Sequence, residues 1–166
     1  MSYIRTVRYV NGGVFQTVAQ LLANFPAGAA YADLYANVTD LYNNGTANGI
    51  REVLRCRYDV LNSAYRWIPQ RQEFNRSVAS TGGAVPLTPL VTAPTIILNG
   101  SLISNITMTP TATNAWVGQR YRIVQNSLLG LFITQITGLI GSNITLLGNT
   151  EAILEYTAGG WRQMTS

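Results

Sequence analysis

Short apolar or alternating segments, each closed by glycine, asparagine or proline, recur through most of the sequence. Segments of roughly 4–8 residues at this spacing are typical of strands in β-sandwiches and small barrels. The sequence therefore predicts a mainly β protein built as small β-sandwich or barrel-like modules, with one short N-terminal helix.

The expected elements fall in two groups. The helix is expected at Val14–Asn24, where apolar residues recur at helical spacing before Pro26. Asn99-Gly100 is a strong signal for a hairpin turn. The expected strands of the first group are Tyr3–Val10, Tyr35–Asp40, Glu52–Tyr58 and Tyr65–Ile68. Those of the second are Thr95–Leu98, Leu102–Thr109, Arg120–Gln125, Leu131–Ile136, Ser142–Leu147, Glu151–Tyr156 and Trp161–Met164.

Charge is distributed unevenly along the chain. Residues 1–83 hold 13 charged side chains and residues 84–166 hold five. Near the boundary, glycines at 82 and 83 and prolines at 86, 89 and 94 interrupt regular structure. The sequence predicts an N-terminal β-rich attachment region with a short helix at 1–76, a Pro/Gly linker at 77–94 and a C-terminal β-sandwich or barrel module at 95–166.

The two regions end alike. In each, a strand that begins with glutamate leads through a turn to a tryptophan-containing strand, Tyr65-Arg66-Trp67 in the first and Trp161-Arg162-Gln163 in the second. Two hairpins of related design would explain this likeness, and so would chemistry common to all hairpins.

Charged residues are scarce and the basic ones are of a single type. Only 11% of the residues are charged, against about 25% in an average soluble domain. All 11 basic residues are arginines, which suit protein interfaces better than lysines. This composition predicts that other subunits cover much of the surface. The net charge of +4 is small and no basic run occurs, so nucleic acid is not an expected partner. A membrane is not expected either, because no apolar run approaches about 20 residues.

The sequence contains few of the side chains that enzymes use for catalysis. The sequence has no histidine and no lysine to serve as a base, and its seven acids are scattered. Its one cysteine, Cys56, lies between Arg55 and Arg57, which face the opposite side of a strand, so we expect a small buried residue. The sequence predicts a protein that is not an enzyme and has no catalytic, cofactor-binding or metal-binding residues.

The three tryptophans are predicted to differ in their exposure to solvent. Trp67 and Trp161 close expected hairpins, where an aromatic ring covers a core. Trp116 follows the turn-like stretch Thr113-Asn114-Ala115 and is the candidate for an exposed contact.

Motifs in the second region resemble the repeated module of phage tail fibres and head appendages. That module carries a Thr/Leu-Pro strand, a Gly-x-x-Tyr/Phe-x-Ile strand, an Asn-Ile-Thr-Leu turn strand and a closing Gly-x-Trp. The matching residues are Ile106–Pro110, Gly118–Val124, Gly141–Leu146 and Gly160-Trp161. The first region is similar to virion proteins in its Ala/Pro-rich stretch Leu22–Gly28, its Val38-Thr39-Asp40 strand and its closing Trp67.

The resemblance implies a trimeric virion component without catalysis, assembled in the host cytoplasm. Because the chain is short and lacks a coiled coil, a capsid decoration (cement) protein is favoured, with the major capsid protein or another virion subunit as partner. The alternative is a short tail fibre, receptor-binding or head-fibre protein that contacts host surface polysaccharide.

The expected partner-binding residues lie in the first region. On the arm Met1–Val10 they are Tyr3, Arg5 and Arg8, and on the later strands they are Arg51, Arg55, Arg57 and Arg66. A free arm would add as a strand to a neighbour's sheet, while the arginines would pair with carboxylates. The alternative is that the arm pairs within its own domain.

Overall fold

The computed structural model describes residues 7–42, 50–71, 75–79, 83–99, 105–126 and 133–164. It is mainly β with one α-helix, which confirms the predicted fold class at that level. The chain divides into an N-terminal unit, residues 1–71, and a C-terminal unit, residues 72–166. The first contains β1 (Tyr9–Phe15), α1 (Val18–Asn24), a 3₁₀ turn (Ala29–Tyr31), β2 (Tyr35–Leu41), β3 (Ile50–Asp59) and β4 (Ala64–Pro69). The second contains β5 (Asn75–Ala79), β6 (Gly83–Leu87), β7 (Thr95–Asn99), β8 (Ile106–Pro110), β9 (Arg120–Asn126), β10 (Ile133–Ile136), β11 (Ile144–Leu147), β12 (Asn149–Thr157) and β13 (Gly160–Gln163).

The described residues of the N-terminal unit form one four-stranded sheet in the order β1-β2-β3-β4. Strands β1 and β2 are parallel and are joined through α1, whereas β2, β3 and β4 are antiparallel neighbours. One face is covered by the segment from α1 to the 3₁₀ turn, since the Trp67 indole N–H donates to the Phe25 carbonyl at 2.9 Å and Leu21 is fully buried. The opposite face carries the arginines of β3 and β4.

Helix α1 begins one turn later than the predicted Val14–Asn24. The Thr17 hydroxyl accepts from the Gln20 backbone N–H at 3.2 Å, and the Gln20 side chain accepts from the Thr17 N–H at 3.3 Å. This capping box fixes the helix start, so Val14 belongs to β1. The first turn of the predicted helix was therefore wrong.

The C-terminal unit is wound as a solenoid of two sheets. Successive strands alternate between the sheets, so that β5, β7 and β9 stack in parallel in one and β6, β8 and β10 in the other. The chain then reverses, because β11, β12 and β13 pair antiparallel with their neighbours. The two sheets enclose a core to which one contributes Ile123 and Leu154 and the other Met108 and Ile136.

This winding corrects the predicted sandwich or barrel of hairpins. Strands β7 and β8, on either side of the expected turn at Asn99-Gly100, lie in different sheets and do not pair. An alternating pattern of apolar and polar residues determines which side chains of a strand face the core. The pattern does not show whether that strand pairs with the strand before it or joins the other sheet. The closing hairpin, β12 with β13, was predicted correctly.

The predicted linker at 77–94 contains strands. It includes the end of β5 and all of β6, and the division between the compact units lies at residues 71 and 72. Strand β6 tolerates Pro86 because β6 lies at the edge of its sheet. A proline on the outer side of an edge strand removes no hydrogen bond between strands. Parts of other predicted strands, at 3–6, 102–104 and 131–132, lie outside the described residues.

Candidate interaction surface

Strand β3 places its arginines on the face opposite the core. Leu54 and Cys56 point into the core and are fully buried, while Arg51, Arg55 and Arg57 alternate with them. Arg66 on β4 lies directly across from Arg57. We call Arg51, Arg55, Arg57 and Arg66 the arginine face. The pairing of β3 with β4 therefore brings the four arginines to one face of the strand pair.

Arg55 is already engaged within its own unit. Its Nη2 lies 2.6 Å from an Asp33 carboxylate oxygen, and its guanidinium carbon lies 5.5 Å from the centre of the Tyr35 ring. Asp33 reaches this position from a left-handed backbone conformation, with φ of 63°, just before β2. Arg55 therefore stabilises the sheet and is the least available of the four for a partner.

Arg57 and Arg66 put two positive charges opposite each other. Like charges in a directly paired position lower the stability of a sheet. Arg66 is half-buried and one of its Nη atoms donates to the Tyr65 carbonyl at 3.0 Å, whereas Arg57 is exposed. Within the described residues, neither Arg51 nor Arg57 forms an ion pair. Through Arg51 and Arg57, the arginine face carries positive charge that a partner's carboxylates would neutralise.

An open cleft of about 450 Å³ adjoins Arg51. Aromatic rings form one wall, where Tyr9 and Tyr35 lie 6.0 Å apart. Its lining residues are Val7, Tyr9, Tyr35, Asn37, Arg51, Glu52, Val53, Gln70 and Arg71. The cleft is wide enough for a partner's side chain, and the arginines at its edge favour an acidic one.

The described end of the arm pairs within its own unit. The Arg8 carbonyl accepts from the Tyr35 N–H at 2.9 Å, and Tyr9 is paired with Tyr35 in the sheet. Gly12 and Gly13 do not end the strand but form an irregularity inside β1, with φ of 85° and 50°. The free-strand hypothesis is therefore wrong for residues 8–10, although Arg8 itself is exposed. Tyr3 and Arg5 lie outside the described residues.

Trp116 was wrongly predicted to be an exposed contact. It is only 4% exposed, and the adjacent Ala115 is part of the core of the C-terminal unit. The polar neighbours Thr113 and Asn114 suggested a surface turn, but Asn114 adopts a left-handed conformation that turns the following residues inward. Trp67 and Trp161 are buried, as predicted.

Cys56 is the buried residue that the sequence predicts. Burial, with a smaller contribution from the negative charge of Asp33, raises the pKa of the Cys56 thiol, although hydrogen bonding with the Gly28 backbone acts in the opposite direction. A raised pKa disfavours the thiolate that nucleophilic chemistry requires. No group of three histidine, cysteine, aspartate or glutamate side chains that could hold a metal ion occurs in the described ranges.

The described part of the chain has no helix that is long and apolar enough to cross a membrane.

Tyr42, just after β2, makes the stability of the N-terminal unit depend on pH. Burial, reinforced by the negative charge of Glu52, raises the pKa of Tyr42 well above its ordinary value of 10. The folded chain then keeps a proton that the unfolded chain loses. The stabilisation is complete below about pH 10, and above it the free energy of unfolding falls by up to about 1.4 kcal/mol per pH unit.

Urea unfolding at several pH values between about 9 and 11 measures this slope. The variant Tyr42→Phe has no such proton and is expected to show a flatter dependence than the natural chain. Tyr58→Phe is the matched control, because Tyr58 is 50% exposed, and it is expected to keep the natural slope. Equal slopes for the natural chain and Tyr42→Phe would contradict the assignment.

No protein-family model and no curated protein sequence matches this chain. Among solved structures, a chain in the "Structure of a chaperone-substrate complex" is 19% identical, with a TM-score of 0.39. The match covers 80% of this chain and 25% of that one, so this chain spans about a quarter of the matched protein. A likeness at this level assigns neither a family nor a function.

Proposed function

We propose that this chain is a non-enzymatic structural protein of a bacteriophage virion, a homotrimeric capsid decoration (cement) protein that binds and stabilises the head. The observation that carries the proposal is the arginine face. In a chain with only 11% charged residues, four arginines share one side of a sheet whose other side is already covered, and two of them, Arg51 and Arg57, are exposed without an ion pair in the described residues. Their partner is an acidic surface of the major capsid protein or another virion subunit.

The chemistry of the face suits protein docking. Arginine binds carboxylates through two parallel hydrogen bonds, and such charge-assisted bonds are about twice as strong as neutral ones. The sparse charge on the rest of the chain supports a homotrimer, since contacts between subunits would bury apolar surface that is exposed to solvent in a monomer. Light scattering tests the trimer, and a stable species of 18.1 kDa at micromolar concentration would contradict it.

The polysaccharide-binding alternative has less support. Sugar recognition by stacking needs exposed aromatic rings, and Trp67, Trp116 and Trp161 are all buried. Among the described residues, the strongly exposed aromatic side chains are Tyr9 and Tyr58, both in the N-terminal unit that carries the arginine face.

The test uses phage particles assembled without this protein, to which purified chain is added back. Replacing Arg51 and Arg57 together by glutamine is expected to weaken binding at least about 30-fold, because each removes a charge-assisted contact. The matched control replaces Arg120 and Arg162 by glutamine. It removes the same charge from two arginines whose side chains are 58% and 57% exposed on the C-terminal unit, and it is expected to bind normally. Unaltered binding by the Arg51/Arg57 variant, or no binding by the natural chain, would refute the proposal.

A further inference from the structure

The turn between β3 and β4 exposes the most apolar tip in the described chain. Val60 is 74% exposed and Leu61 is 63% exposed, the highest values among its large apolar side chains. Turns normally carry glycine, asparagine, aspartate, serine or proline. We call the four residues Val60-Leu61-Asn62-Ser63 the hairpin tip.

Hydrogen bonds on its inner side hold the hairpin tip in shape. Asp59 is only 8% exposed, and one of its carboxylate oxygens accepts from the backbone N–H groups of Leu61 at 3.2 Å and Asn62 at 3.3 Å. The other oxygen accepts from the Asn62 side chain at 2.9 Å. The polar groups of the turn therefore face inward while two apolar side chains face outward. Such a tip loses little conformational freedom when it enters a pocket.

Positive charge lies directly behind the hairpin tip. Arg57 and Arg66 face each other across the hairpin, two residue pairs before its last pair, Asp59 and Ala64. Arg57 is exposed and forms no ion pair within the described residues, so its guanidinium is open to a charge-assisted hydrogen bond with a carboxylate. A partner that receives the tip is therefore acidic around the point of entry.

Within the described residues, no carboxylate is both exposed and without an ion pair, so this part of a second copy does not supply that acidity. Of the acids in the described residues, Asp33, Glu151 and Glu155 already form ion pairs. Glu52 and Asp59 are buried, and Asp40 is half-buried. This distribution favours a different protein as the source of the complementary carboxylates.

We propose that the hairpin tip is an anchor that inserts Val60 and Leu61 into an apolar pocket of a different protein, whose rim carries carboxylates facing Arg57. The inference rests on the proposed function only in taking that protein to be a virion subunit. The turn is held rigid by the hydrogen bonds to Asp59, and a rigid tip matches a preformed protein pocket better than a fluid lipid surface.

The test compares Val60→Ser/Leu61→Ser with Ile140→Ser/Leu147→Ser, a matched control at two apolar residues of the C-terminal unit that are 51% and 54% exposed. Binding is measured on particles assembled without this protein. The tip variant is expected to bind at least about 30-fold more weakly, from the lost burial of two aliphatic side chains. Its circular dichroism spectrum and urea midpoint should match those of the natural chain, and the control should bind normally.

Each other outcome has a definite meaning. If the tip variant binds like the natural chain while the Arg51/Arg57 variant does not, the anchor is refuted and the proposed function stands. If the natural chain binds no particle, the proposed function fails, and the anchor fails with it. Binding to vesicles of equal parts phosphatidylcholine and phosphatidylserine that the tip variant loses would show a membrane anchor instead. Self-association in light scattering that the tip variant loses would show a contact between copies, and both results overturn the proposal.

Discussion

Replacing Trp161 with alanine is expected to lower the free energy of unfolding of the C-terminal unit by about 3–5 kcal/mol, the range for removing a large aromatic side chain from a core. Trp161 on β13 is 3% exposed. Its ring stacks on Tyr121, with ring centres 5.0 Å apart, and its indole N–H donates to the Thr111 carbonyl at 2.8 Å. The substitution both leaves a cavity in the core and removes the hydrogen-bond donor to the Thr111 carbonyl.

Urea unfolding followed by far-ultraviolet circular dichroism measures this loss. Trp161→Phe keeps most of the buried area but removes the hydrogen bond, so an intermediate cost of about 1–3 kcal/mol is expected. Arg162→Ala on the same strand is the control, because the Arg162 side chain is 57% exposed and its contact with Glu155 spans 3.4 Å. Its cost is expected to be under about 1 kcal/mol. A loss below about 1 kcal/mol for Trp161→Ala would show that the ring does not complete the core.

The sequence predicted where strands occur better than how they are connected. Arg120–Gln125 and Glu151–Tyr156 were placed within a few residues of β9 and β12, because alternation along a half-buried strand is a local signal. The winding of the C-terminal unit depends on which distant strands pair. Thr95, for example, lies beside Arg122, a partner that no local pattern identifies.

The same distinction applies to the candidate site. The spacing of Arg51, Arg55 and Arg57 was enough to place them on one face of β3. Asp33, which neutralises Arg55, was not predicted because it is distant in sequence and reaches Arg55 only through its left-handed backbone conformation. The hairpin tip was also missed, although an aspartate followed by two apolar residues inside a predicted turn was a usable signal.

The two hairpins that the sequence showed to be alike share a structural feature. In each, the tryptophan of the last strand is buried and its indole N–H donates to a backbone carbonyl far upstream, from Trp67 to Phe25 and from Trp161 to Thr111. Each tryptophan thus fixes an irregular segment against its sheet. The core of each unit is therefore covered partly by its strands and partly by an irregular segment that a tryptophan hydrogen bond holds in place.

Replacing Trp67 with alanine tests this role by a chemical readout as well as by stability. Trp67 is 1% exposed and lies directly across from Cys56, whose thiol is covered near the Gly28 carbonyl at 3.8 Å. Loss of the indole removes the anchor of the segment after α1 and opens space beside the thiol. The N-terminal unit is expected to lose about 3–5 kcal/mol. The rate at which Cys56 reacts with a thiol reagent under native conditions is expected to rise at least about 100-fold, because local release of the segment that the Trp67–Phe25 hydrogen bond holds becomes correspondingly more frequent.

Mass spectrometry after timed exposure to the reagent measures modification of this one cysteine directly. Ile68→Ala is the matched control, since Ile68 is next to Trp67 on β4 but is paired with Arg55 on the opposite face. That variant removes apolar area without releasing the segment, so Cys56 is expected to react at a rate close to that of the natural chain. If Trp67→Ala and Ile68→Ala exposed the thiol equally, the covering of Cys56 would depend on the general stability of the sheet and not on the bond from Trp67 to Phe25.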